Sequence, residues 1–179
     1  MSFCFGASTQ PCLAQEEDVQ LAIARGTEQQ RSLRAIISIP QPIEQVWHVL
    51  TDYEAMPEFI PNLSLCRRIS QSETGSRLEQ VGTCQILKVT FSVRVVLDMV
   101  EQFPHRIAFR MVEGDFHRFS GSCSLESVIN HNAVATVLHY CVNVQPKITM
   151  PVALMERQLR SDLPKNLRAI RDRVHTLTS

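Results

Sequence analysis

No stretch of the chain reaches the roughly 18 consecutive apolar residues that a membrane-spanning helix needs, so no transmembrane segment is expected. Net charge is also absent, with 18 basic residues against 18 acidic ones. Chains that live on nucleic acid usually carry a basic excess, so no nucleic-acid partner is expected. Glycine is scarce, at 6 of 179 residues, and there is no fixed repeat, which excludes collagen-like and low-complexity classes. Disorder as the main description is excluded because 44% of residues are hydrophobic while net charge is zero. Length and apolar content suit one domain with one core.

Catalytic and metal signatures are missing too. The chain has no G-x-S-x-G, no G-x-G-x-x-G, no P-loop and no H-E-x-x-H. The cysteines, at 4, 12, 66, 84, 123 and 141, form no C-x-x-C pair, and none stands at zinc-ligand spacing from a histidine. No metal site and no cofactor are therefore expected. Cys66, Cys84, Cys123 and Cys141 fall in expected strands, and reduced, buried thiols are their expected state. The apolar residues 1–14 are interrupted by Gln10 and Pro11, and the first basic residue is Arg25. That argues against a secretory signal, and a cytoplasmic location is expected.

What the chain does have is periodicity. Residues 1–30 are weakly patterned and read as an N-terminal arm outside the core, with a short helix over 16–25; residues 31–179 read as the domain. Residues 32–39 (SLRAIISI) alternate as a strand. Pro42 then sits where a helix can start, and Ile43, Val46, Trp47 and Leu50 mark one helical face. Asp52 is placed to cap a second short helix, which Pro61 closes. Six strands follow. The clearest covers 88–102, where Val89, Phe91, Val93, Val95, Leu97 and Met99 alternate with mostly polar residues. Ile107, Phe109 and Met111 continue the odd phase, as do Phe119, Cys123 and Leu125. In the last strand the apolar phase is even: Val134, Leu138, Tyr140, Val142 and Val144. Asp98, Glu126 and His139 fall outward.

Beyond Pro146 and Pro151, a stripe of Val152, Met155, Leu159, Leu163, Leu167, Ile170 and Val174 repeats at close to 3.6 residues per step and predicts one long helix. The expected class is α+β, a curved seven-stranded antiparallel sheet with two short helices after its first strand and a long C-terminal helix lying across it. Met155, Leu159, Leu163 and Leu167 are expected to pack on the odd face of strand 88–102. Periodicity leaves open whether sheet and helix enclose a filled core or a cavity. Lys147, Arg157, Arg160, Lys165, Arg168, Arg171 and Arg173 outnumber Glu156, Asp162 and Asp172 along this segment. That excess is a solvated helix face or a peripheral contact for an anionic surface.

Several local words resemble the START-like superfamily with its helix-grip fold. They are residues 42–53 (PIEQVWHVLTDY), 56–61 (MPEFIP), 112–116 (VEGDF) and 163–167 (LPKNL). The last two resemble its polyketide cyclase/dehydrase and coenzyme Q-binding branch, and the likeness spans about 32–175. The resemblance implies a sheet wrapped around the C-terminal helix and an internal cavity for a lipid, an isoprenoid quinone or a polyketide-like molecule. In one respect the chain departs from the pattern. Related proteins often carry proline after the hairpin glycine and tryptophan nine residues beyond it, where this chain has Asp115 and Cys123. A thiol in place of an indole leaves volume.

Strand phase and the resemblance together select the candidate ligand-binding residues. They are Gln80, Phe91, Val93, Val95, Phe109, Met111, Phe119, Tyr140, Met155 and Leu159, with His117 and Tyr140 as candidate catalytic groups. Three functions follow as expectations: carriage of a hydrophobic small molecule, a cyclase or dehydratase acting through His117 and Tyr140, and a partner-binding, ribosome-associated role for the basic helix.

Overall fold

A computed structural model of the chain describes residues 18–27, 29–86, 88–130, 132–147 and 151–178. In order, the elements are β1 (Val19–Arg25), β2 (Arg31–Ile39), α1 (Ile43–Thr51), a 3-10 turn (Tyr53–Ala55) and α2 (Met56–Phe59). Then come β3 (Leu63–Ser72), β4 (Gly75–Ile86), β5 (Val89–Gln102), β6 (Arg106–Gly114), β7 (Phe116–Asn130), β8 (Ala133–Pro146) and α3 (Val152–Thr178). All eight strands join one sheet in the order β1-β2-β8-β7-β6-β5-β4-β3, and every neighbouring pair is antiparallel. β3 to β8 form a meander whose last strand returns beside β2. This is the helix-grip arrangement.

The sheet has one strand more than expected. Residues 19–25 are not a helix in an arm outside the core: they form β1, which pairs with β2 from Val19↔Ile37 to Arg25↔Arg31. Val19 is buried in the core, and Leu21 and Ile23 pack against it. The local signal was a short alternation of Val, Leu and Ile with Gln and Ala. Ala and Gln favour helix in isolation, and pairing with an available sheet edge overrides that preference. Residues 1–17 lie outside the described residues.

The inward phases hold where α3 or the short helices cover the sheet. Val95, Leu97, Ile107, Phe109, Leu125, Leu138, Val142 and Val144 are buried. They fail at strand ends that run past the cover, where Val89, Phe91 and Val134 are exposed. α1 buries Ile43, Val46, Trp47, Val49 and Leu50, each worth roughly 1.5–3 kcal/mol. Pro42 precedes it with φ −58° and ψ 149°. Asp52 stands at the start of the 3-10 turn but makes no side-chain capping bond.

α3 buries Met155, Leu163, Leu167, Ile170 and Val174, the expected stripe, and carries Pro164 inside it. Its closest neighbours are α1, β2 and β1. Glu156 fixes it there, accepting from Arg31 Nε at 2.7 Å and from Arg25 Nη2 at 3.1 Å. The expected close packing of α3 on β5 is corrected: a cavity separates them, with Val95 and Leu97 on one wall and Leu159, Leu163 and Leu167 on the other. Most basic residues of α3 are engaged within the chain. Arg168 and Arg171 hold Asp18, Arg173 holds Glu58, and Arg160 stands 3.6 Å from Glu156.

Candidate functional site

The cavity has a volume of about 340 Å³ and is partly open to solvent. That lies within the roughly 300–1,000 Å³ of small-molecule sites. Its sheet wall comes mainly from inward positions of β4 to β8, with Leu63 of β3 at the edge. β4 supplies Gln80 and Gly82, β5 supplies Val93, Val95, Leu97 and Met99, and β6 supplies Ile107 and Phe109. β7 adds Phe116, Phe119 and Cys123, and β8 adds Tyr140 and Val142. Leu50, Tyr53, Met56, Ile60 and Pro61 close one side. The helix wall is one face of α3: Leu159, Asp162, Leu163, Asn166, Leu167 and Ile170.

An aromatic band crosses the sheet wall. Phe116 stacks on Phe119 with centroids 5.4 Å apart, Phe119 lies 5.7 Å from Phe109, and Phe109 stacks on Tyr140 at 6.0 Å. Such ring pairs hold one another rigidly at little conformational cost. Tyr140 sits opposite Cys123 in the β7–β8 ladder. Burial raises its phenol above the usual tyrosine range, with the thiols of Cys123 and Cys141 adding to the shift, so the group stays protonated. Burial likewise pushes the Cys123 thiol up to about 12, which makes it a poor nucleophile. Among the described residues no group hydrogen-bonds the Tyr140 hydroxyl.

The remaining polar groups stand at the edges. Gln80 Nε2 donates to Cys66 Sγ at 3.4 Å. Tyr53 donates to Glu101 at 2.8 Å, and burial followed by that bond raises its phenol as well. On α3, Asp162 Oδ2 accepts from Gln158 Nε2 at 2.7 Å. Asp162 Oδ1 and Asn166 Oδ1 are buried without a hydrogen-bond partner. Among the described residues no group of three His, Cys, Asp or Glu side chains is placed to hold a metal.

Seven of the expected ligand-binding residues come together here: Gln80, Val93, Val95, Phe109, Phe119, Tyr140 and Leu159. Three do not. Phe91 lies past the helix on the exposed end of β5, Met111 packs against the core beside Gly114, and Met155 is buried in the core near the start of α3. His117 is exposed and does not line the cavity. A bulge between Phe116 and Arg118 shifts the phase, so Phe116 takes the inward place that alternation had given to residue 117. Cys123 does line the cavity, at the position where related proteins often carry an indole. Alternation missed Asp162 and Asn166. Their signal was a spacing of four on α3, each one residue before a leucine of the stripe.

A family model described as polyketide cyclase / dehydrase and lipid transport matches residues 39–171, from the end of β2 almost through α3. The chain belongs to that family. Solved structures agree on the fold. A START superfamily protein from Mycobacterium smegmatis aligns with a TM-score of 0.68 at 16% identity, covering 82% of this chain and 98% of that one. The Zhui aromatase/cyclase from Streptomyces sp. R1128 aligns with a TM-score of 0.71 at 12% identity, covering 84% and 96%. A STAR-related lipid transfer protein from Xanthomonas axonopodis aligns at 0.67 and 15%, covering 90% and 96%. No curated protein matches the sequence. In this member of the family, the helix-grip fold joins cavity and cover in one chain. No helix among the described residues is long and apolar enough to cross a membrane.

Proposed function

We propose that this chain binds and carries a hydrophobic small molecule, of the lipid, isoprenoid or polyketide-like class, in the cavity between the sheet and α3. One observation carries the reading. A cavity of about 340 Å³ has mostly apolar walls, and among the described residues none hydrogen-bonds the Tyr140 phenol that lines it. Apolar walls bind by removing ligand surface from water, and a few polar groups set orientation. The family's lipid-transport members and the named lipid transfer protein support carriage. The similarity to an aromatase/cyclase keeps cyclisation or dehydration as an alternative, with Tyr140 the candidate proton donor. That alternative loses His117, which is exposed. The free thiols of Cys66, Cys123 and Cys141 support a reducing, cytoplasmic setting.

The test is extraction of the purified protein with organic solvent and mass analysis of the extract, alongside titration of the emptied protein with Nile red. A co-purifying apolar molecule and saturable, stoichiometric dye uptake support the reading. Absence of both overturns it.

A further inference from the structure

The cavity is electrostatically one-sided. Among its described lining residues there is no Arg, Lys or His, and Asp162 is the one carboxylate. Its neighbours neutralise it only in part. Gln158 donates to Oδ2, while Lys165 Nζ stands 4.0 Å from Oδ1, beyond hydrogen-bond distance, on a side chain that is 57% exposed. One helical turn on, Asn166 adds a second acceptor. The Oδ1 atoms of Asp162 and Asn166 are both buried and unsatisfied. Buried acceptors without donors are costly, and a site that contains them favours ligands that bring the donor. Both side chains line the cavity, and the terminal torsions of Asp and Asn are broad, so a small rotation turns either oxygen toward an occupant.

We propose that the helix wall of the cavity is a hydroxyl-recognition site, at which Asp162 and Asn166 accept from a neutral alcohol or phenol and which rejects carboxylates and phosphates. This rests on the binding reading above and narrows its ligand class. An anion brought beside Asp162 meets like charge in a low-dielectric space with no lining cation to offset it. A hydroxyl meets two acceptors that otherwise go unpaired. Tyr140 on the sheet wall complements them, because its protonated phenol can donate to a carbonyl or ether oxygen elsewhere on the same molecule. The fitting ligand is thus an apolar, hydroxylated, uncharged molecule, not a fatty acid or a phospholipid head.

Three ligands with one ring system test this at neutral pH: 2-naphthol, 2-methoxynaphthalene and 2-naphthoate, each displacing Nile red. On the unaltered protein, 2-naphthol should bind tightest, and the methyl ether about fivefold weaker for the loss of one net hydrogen bond. The carboxylate should bind weaker by about tenfold or more. Asp162→Asn, its fold checked by thermal melt, should improve 2-naphthoate about tenfold and weaken 2-naphthol, so that the preference for the phenol shrinks or is lost. Asn166→Leu should bring 2-naphthol and its methyl ether closer together. The comparison on the unaltered chain stands even if a variant fails to fold. Equal affinity for 2-naphthol and 2-naphthoate overturns the hydroxyl site and leaves the cavity reading intact. No uptake of any of the three or of Nile red overturns both.

Discussion

Phe109 on β6 faces Gly121 on β7 across the ladder, and its ring fills the space that a side chain at 121 would take. A Cβ built at Gly121 collides with that ring and with the backbone oxygen of Cys141. The aromatic band of the sheet wall therefore depends on a residue with no side chain on β7, the strand beside that of Tyr140. Gly121→Ala should destabilise the fold by about 1–3 kcal/mol, because neither backbone nor ring can yield without spreading the strands. A thermal or denaturant melt measures it. An unchanged midpoint would show that β6 and β7 have room to part.

Val95 lies midway along β5, buried, with its side chain on the cavity wall. Val95→Trp adds volume where the proposed ligand would lie. The cavity can absorb much of the added bulk, so the protein should still melt cooperatively but should lose Nile red uptake. A folded variant that binds the dye as well as the original would place the ligand elsewhere.

The Tyr140 hydroxyl separates binding from stability. Because no described residue pairs with it, Tyr140→Phe should leave the melting temperature unchanged or slightly raised. If a ligand oxygen is its partner, affinity for the co-purifying molecule should fall by about 1 kcal/mol. Calorimetric titration and a melt on one preparation read both. A large loss of stability with unchanged affinity would give the hydroxyl a structural role instead.

Acid should loosen α3 before it unfolds the sheet. Hydrogen bonds from Arg25 and Arg31 hold the Glu156 carboxyl at about 2, below its ordinary value of 4.5. A carboxylate whose folded pKa is depressed contributes stability that is fully present above the ordinary value and is lost as pH falls toward the folded one. The contribution should be intact at neutral pH and decline between about 4.5 and 2. Glu156→Gln should therefore be less stable than the original at neutral pH, with the gap closing toward pH 2. Denaturant melts across that window measure it. A gap independent of pH would assign Glu156 a packing role alone.

Much of this molecule was legible from alternation and helical spacing. The odd positions of β5 and β6 and the even positions of β8 face inward because successive strand side chains point to opposite faces. Six of the ten expected ligand-binding residues line the cavity for that reason, and a seventh, Leu159, does so through the helical stripe of α3. The failures have physical causes too. Alternation says which face a residue shares but not where the cover ends, so Phe91 was expected inside and stands in solvent. It also does not register a bulge, and one bulge at 116–118 moved His117 out and Phe116 in.

By itself, the sequence determined the class of fold, the order from β2 onward, the apolar face of the sheet and the stripe on α3. These follow from periodicity, which is local. Tertiary structure alone decided that 19–25 is a strand, because only an open sheet edge supplies the hydrogen bonds that make it one. It also decided that α3 rests on α1, β1 and β2, tied by Arg31 and Glu156, and so stands off β5. That offset opens the cavity, and brings Asp162 and Asn166 of the helix to face the aromatic band of the sheet, a pairing of distant segments that no local pattern encodes.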